Sequence, residues 1–265
     1  MSIEQGRVAV VTGGGTGIGR GIALALARRG VRVALVGRRL EPLTATMQAV
    51  HDLGQAALPV TADLADPAAW PRVIEAVHAQ WGPIDTLVHN AGVLAGGPLL
   101  DQSTAAIHQC VTTNFTAPIA LTRLLLPDLV AQRGRVVLVG STTSFVPLPY
   151  LALYGGTKAG LHHVGTALRH ELTPLGIHLL IAYPPATATA MTAAMAARMR
   201  GNTGRHSTLA QPEPIGEAIV RALAAGKQEC VWWGGEHLLR LLYGMAPGLM
   251  TRLLFRQRHR FQAMV

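Results

Sequence analysis

Short runs rich in Val, Ile and Leu alternate with helix-patterned stretches along almost the whole chain, and few architectures accept that pattern. Residues 7–11, 32–36, 57–60, 84–88, 135–139, 177–182 and 229–232 read as strands. Residues 17–29, 41–53, 67–80, 101–130, 151–175 and 212–225 read as helical, with Pro67 suited to a first helical position. The strands are apolar throughout instead of alternating with polar residues. A strand of that kind is buried on both faces, so the expected fold class is α/β: a doubly wound parallel sheet with helices on either side. The chain has 265 residues, 49% of them apolar, enough for one large core, and no repeat or linker divides it.

Several classes fall away on composition. No apolar run reaches the roughly 18 residues that cross a bilayer. The first residues carry Glu4 and pass straight into a strand pattern, without the basic flank and apolar segment of a secretory leader. Cys110 and Cys230 lie far apart with no metal-ligand spacing around them, so reduced thiols, no metal and a cytoplasmic location are expected. The net charge is +9. Its arginines are scattered and accompany no recognition motif, which argues against nucleic acid as a partner.

Residues 8–12, Val-Ala-Val-Val-Thr, run into Gly13-Gly-Gly-Thr-Gly17-Ile-Gly19 and then an Ala/Leu helix. A strand, a glycine turn and a helix in that order form a phosphate-binding unit. Glycines let the backbone approach a pyrophosphate, and the helix N-terminus adds free N–H groups and a positive dipole end. The sheet is therefore expected to be of Rossmann type. The second strand ends at Gly37-Arg38-Arg39. An NAD-preferring fold places an acid there for the ribose 2′-hydroxyl, whereas a guanidinium suits a 2′-phosphate. NADP(H) is thus favoured over NAD(H), with Arg38 and Arg39 as its contacts. Asp63 and Leu64 follow the third strand, where Asp63 either bonds the adenine amine or caps the next helix.

Ser141 follows the fifth strand, Tyr154 comes thirteen residues later, and Lys158 four after that. On a helix, Tyr154 and Lys158 share a face. With four Tyr and only two Lys in the chain, chance places such a pair about 0.03 times. The residue types suit carbonyl reduction. The alkoxide formed by hydride needs a proton; a phenol can give one, but its reference pKa of about 10 is high for neutral pH. A nearby ammonium would lower it. A serine hydroxyl can hold the substrate oxygen beside the phenol.

With these residues in view, the chain resembles the short-chain dehydrogenase/reductase family over roughly residues 5–235. Thr12-Gly13 through Gly17-Ile18-Gly19 matches the family's cofactor turn. His89-Asn90-Ala91-Gly92 is similar to its Asn-Asn-Ala-Gly segment, with His89 as a departure. The resemblance implies that Asn90 steadies the sheet near the adenosine ribose. It implies that Asn114 kinks its helix and holds a water linking Lys158 to solvent, and that Ser141, Tyr154 and Lys158 are the active-site residues. The family's Pro-Gly after the sixth strand is here Pro184-Pro185, which removes an N–H. By family spacing, Thr187 through its backbone and Thr189 through its side chain meet the nicotinamide carboxamide. The family's habits also imply a homodimer or homotetramer. Residues 1–235 are then one cofactor-binding and catalytic domain, and 236–265 an extension.

The segment 187–211 reads as a mobile loop with some helix. Phe145, Val146, Leu148 and Leu151 from one side, and Met191, Met195 and Met199 from this loop, are candidate substrate contacts. All are apolar, which favours a small hydrophobic ketone or secondary alcohol. An epimerase or dehydratase using the same cofactor, and a cofactor-binding regulator without turnover, are the rival readings. The extension carries five Arg and one Glu, with leucines spaced for two short amphipathic helices, the second beginning at Pro247. Peripheral contact with an anionic membrane, a lid or partner contact, and plain packing onto the domain all remain open for it.

Overall fold

The computed structural model describes residues 5–193, 209–232 and 235–256. Met195 and Met199 lie outside them. Seven strands form one parallel sheet in the order β3-β2-β1-β4-β5-β6-β7. They are β1 (Val8–Thr12), β2 (Arg32–Gly37), β3 (Ala57–Thr61), β4 (Thr86–His89), β5 (Arg135–Val139), β6 (His178–Tyr183) and β7 (Glu229–Val231). The order reverses between β1 and β4, and a doubly wound sheet opens a crevice at such a switch point.

Alternate residues of each strand feed two cores. Val8 and Val10 of β1, with Val136 and Leu138 of β5, pack under α3 (Ala69–Trp81), α5 (Ala117–Ala131) and α6 (Ala152–Leu172). Ala9, Val11, Val137 and Val139 pack on the other side, against α1 (Gly17–Ala27), α2 (Leu40–His51) and α7 (Pro212–Ala224). The β1 and β5 strands are buried at every position, which is why their sequences show no polar alternation.

Three boundaries differ from expectation. Helix α3 starts at Ala69, because Asp66 accepts the Ala68 N–H and leaves Pro67 in a preceding turn. The helical stretch 101–130 is two helices, α4 (Thr104–Val111), capped by the Ser103 hydroxyl, and α5, joined by a π turn at Thr112–Thr116. Helix α6 ends at Leu172, and a 3-10 turn at Thr173–Leu175 leads to Gly176 at φ 78°. Two further helices, α8 (Gly235–Met245) and α9 (Pro247–Arg256), follow the last strand, the second opening at Pro247 as expected.

Helices α1 and α7 meet backbone to backbone. A Cβ on Gly216 would lie 2.2 Å from the Gly21 carbonyl carbon, and one on Gly21 would lie 2.6 Å from the Pro212 oxygen. Backbone cannot yield as a side chain does. Gly216→Ala should therefore lower stability by about 1–3 kcal/mol, seen as a lower urea midpoint. Gly156→Ala, on the exposed side of α6 with nothing within 4 Å, should raise it by up to about 1 kcal/mol.

Candidate active site

The crevice begins at the glycine turn. Gly13 at φ 67° and Gly17 at φ 55° hold left-handed conformations that a side chain would strain. Thr16 at the N-cap of α1 makes no side-chain cap, so the first N–H groups of that helix are left for an anion. Gly19 serves packing instead: a Cβ there would sit 2.1 Å from the Gly13 oxygen. Ile18 is half-buried against the α1-side core.

Thr12 and Asn90 hold this turn in place. The Thr12 hydroxyl donates to the Val88 oxygen at 3.1 Å and accepts from the Asn90 and Ala91 N–H groups at 3.0 and 3.1 Å. The Asn90 side-chain amide donates to the Thr12 oxygen at 3.0 Å and the Gly13 oxygen at 3.3 Å. Asn90 is thus engaged in building the turn, and its neighbours Ala91 and Gly92 line the cleft in its stead. His89 is buried and bonded to the Thr122 hydroxyl at 2.9 Å. Burial, with Lys158 nearby, pushes its pKa down to about 3, so it stays neutral.

A cleft of about 190 Å³ brings together Gly13, Gly15, Thr16, Arg38, Arg39, Asp63, Leu64, Ala91, Gly92 and Thr113. Arg38 and Arg39 are exposed and form no ion pair among the described residues. The Asp63 carboxylate accepts the Ala65 N–H at 3.0 Å, a local turn bond that still leaves it facing the cleft, and α3 is not capped by it. Cradling glycines, an open helix N-terminus and free guanidinium groups fit a phosphorylated dinucleotide. Gly15, Thr16 and Thr113 went unnoticed in the sequence. The first two sit inside the recognised turn, while nothing local marks Thr113.

At the inner end, the Cβ position of Gly92 is 3.8 Å from the Lys158 Nζ. Lys158 is 4% exposed and donates to the Val139 oxygen at 2.8 Å. Burial lowers its pKa to about 8. Its Nζ is 5.9 Å from the centroid of the Tyr154 ring. Burial raises the Tyr154 pKa, and a hydrogen bond from Ser141 offsets only part of that. The ammonium is turned to a strand carbonyl, and desolvation dominates.

Ser141 caps the 3-10 turn Thr142–Ser144, accepting the Thr143 N–H at 3.2 Å. The Ser144 hydroxyl donates to the Lys158 oxygen at 3.1 Å, which ties this turn to α6. Asn114, fully buried in the π turn, clamps the cleft floor: its Oδ1 accepts the Val93 N–H at 2.8 Å and its Nδ2 donates to the Val93 oxygen at 2.9 Å. The helix irregularity at Asn114 is as expected. Its amide is engaged at both ends by Val93, and its Nδ2 further by Thr157 at 3.2 Å.

The segment after β6 is arranged around Thr192. Its hydroxyl donates to the Thr187 oxygen at 2.7 Å and accepts the Thr189 N–H at 2.9 Å. Pro184 is buried, and Thr187 is 3% exposed with its hydroxyl on the Pro185 oxygen at 2.7 Å. Thr189 closes over the start of α1, its Cγ2 3.0 Å from the Cβ position of Gly17.

Of the apolar candidates, Leu151 and Val146 are buried, at 7% and 2% exposure, while Leu148 and Met191 are half-buried. Phe145 is already engaged. Its ring packs 4.8 Å from His162 and 4.7 Å from Tyr183, and the Arg240 guanidinium lies 3.8 Å from its centroid. It is a packing residue rather than a free wall of the pocket. No local pattern announces this, because Arg240 is 95 positions away. Tyr150 is another surprise: φ 63° for a bulky residue, with its carbonyl accepting the Gly97 N–H at 2.8 Å. Strain of that kind clusters at ligand sites.

The short chain dehydrogenase sequence profile matches residues 7–200. The chain belongs to the short-chain dehydrogenase/reductase family. It is 29% identical over 225 residues to the ketoacyl reductase HetN of Nostoc sp., covering 84% of this chain and 77% of that one. It is 28% identical over 251 residues to the 3-ketodihydrosphingosine reductase of Bos taurus, covering 90% and 75%. The structure superposes on a short-chain dehydrogenase from Sphingobium yanoikuyae in complex with NADPH with a TM-score of 0.78, 27% identity and coverage of 92% and 95%. The protein is therefore an oxidoreductase of this family, with a Rossmann-like single domain.

Lys158 carries a stability cost that can be read out directly. Its folded pKa of about 8 lies below the ordinary lysine value of 10.5, so the unfolded chain binds more protons between those values. Stability then rises with pH across that window, and the penalty is complete below pH 8. Lys158→Met should be more stable than the parent at pH 7 by about 3 kcal/mol, less the lost hydrogen bond to Val139. The gain should shrink between pH 8 and 10 in paired denaturant titrations.

Proposed function

We propose that this oxidoreductase uses NADP(H) and transfers hydride between the nicotinamide and a hydrophobic ketone or secondary alcohol. One observation carries the reading: a cleft is lined by free Arg38 and Arg39 and by Gly92, whose Cβ position lies 3.8 Å from the Lys158 Nζ. When bound, the cofactor supplies or accepts the hydride. The chain's own residues do the rest. The α1 N-terminus and the glycine turn hold phosphate, and Arg38 meets the 2′-phosphate as a charge-assisted pair. The Asn114 amide holds the Val93 backbone beside Ala91 and Gly92, which line the cleft.

Ser141 donates a hydrogen bond to the substrate oxygen and holds it against the phenol. Tyr154 gives its proton to that oxygen in reduction and takes it back in oxidation. Its raised pKa keeps it protonated at neutral pH, the form that reduction needs. Lys158 bonds a ribose hydroxyl and offers positive charge once it leaves Val139. Apolar Val146, Leu148, Leu151 and Met191 near this segment favour an apolar substrate, and two relatives are named for long keto substrates or ketoacyl groups. Half-exposed Val111, Leu124 and Val130 on α4 and α5 favour self-association through that face.

The test is NADPH oxidation, with NADH in parallel, against a panel of cyclic, aryl and long-chain ketones. Tyr154→Phe should lower kcat by at least about 100-fold while NADPH affinity stays unchanged. Loss of affinity in place of turnover would remove the acid role. Arg38→Ala should weaken NADPH binding by about 10- to 100-fold and leave NADH binding within a few-fold. Equal losses for both cofactors would overturn the 2′-phosphate assignment.

A further inference from the structure

Helices α8 and α9 carry a series of large apolar side chains exposed to water. Leu238, Leu241, Leu242 and Met245 recur at i, i+3, i+4 and i+7, one stripe of α8, and Met245 is 83% exposed. Leu249 and Leu253 make the same i, i+4 stripe on α9, with Phe255 62% exposed beside it. Only Ala246 separates the two helices. Its N–H donates to the Leu242 oxygen at 2.9 Å, and its own oxygen accepts the Met250 N–H at 3.1 Å, so the pair bends at Pro247 without coming apart.

Helix α8 is seated beside the segment that follows Ser141. Arg240 stacks on Phe145 at 3.8 Å and faces Glu229 at 3.7 Å. Phe145 directly follows the turn that Ser141 caps. The apolar stripes are therefore carried next to the segment that holds Ser141 and Tyr154.

We infer that helices α8 and α9 dock the enzyme on an anionic lipid surface, lying in its plane. Length excludes spanning: the helices have 11 and 10 residues, against about 20 for a bilayer. Charge selects the occupant. After Glu236 the sequence through residue 265 contains no acid, and it carries Arg240, Arg252, Arg256, Arg258 and Arg260. Arg240 is held on Phe145, but Arg252 and Arg256 are exposed on α9 among its leucines. A second copy of this face would bring like charges together. Phosphate headgroups neutralise them while leucines enter the acyl boundary. This inference concerns the surface and does not depend on which carbonyl compound is reduced.

The experiment is flotation of the full-length protein with vesicles of phosphatidylcholine alone and with phosphatidylglycerol admixed. The protein should float with the anionic vesicles, not with the neutral ones, and release at about 0.5 M salt. Arg252→Ala with Arg256→Ala should weaken vesicle binding by about 30-fold. Leu249→Glu with Leu253→Glu should weaken it by at least about 100-fold, with melting temperature and NADPH affinity unchanged as proof of folding. If the parent protein ignores anionic vesicles, the inference is overturned whatever the variants do. If it does so and the Leu→Glu pair also turns a dimer into a monomer by light scattering, the face belongs to a second copy. Equal binding to neutral and anionic vesicles would overturn the role of charge.

Discussion

The crevice depends on how the chain bridges β1 and β4, the two strands from which the sheet is wound in opposite directions. At their C-terminal ends the helices leave on opposite faces, so backbone groups there lose their usual partners. The Thr12 hydroxyl and the Asn90 amide take up those groups, joining the end of β1, the first glycine and the Asn90–Ala91 backbone. A Cβ on Gly13 or Gly19 would enter the space that Asn90 occupies. The glycine turn is thus held in its shape by hydrogen bonds inside the protein, before any ligand contributes.

The same logic extends inward. Asn114 fixes Val93 through both ends of its amide, and the π turn at Thr112–Thr116 puts it where it can. Ser144 ties the Ser141 turn to the Lys158 backbone. Around this frame sit groups that are poorly settled in the fold: a buried ammonium and a phenol whose ionised form is penalised. Proteins retain such groups where function needs them, at a cost in stability. The rigid clamps are what let the strained groups persist.

Much of this was legible in the sequence because its signals are local. Uniformly apolar runs gave the parallel sheet. Gly13, Gly17 and the following helix gave the phosphate turn, and the Tyr154–Lys158 spacing gave one helical face. The π turn at Asn114 followed from the resemblance alone. Asn90, Phe145 and Thr189 also meet protein neighbours far off in sequence, Thr12, Arg240 and Gly17, which no local pattern announces. Pro67 was read one turn too early because the Asp66 side chain competes for the same N–H groups.

The sequence by itself determined the element types and their order, since periodicity and glycine placement are properties of short stretches. Tertiary structure decided the rest. It turned Lys158 to Val139 instead of to the phenol, gave the cleft wall to Ala91 and Gly92 in place of Asn90, and set Arg240 on Phe145 so that helix α8 stands beside the segment that follows Ser141. The physical reason is that burial and hydrogen-bond partnership are settled between residues tens of positions apart, where no pattern in the sequence records which groups will meet.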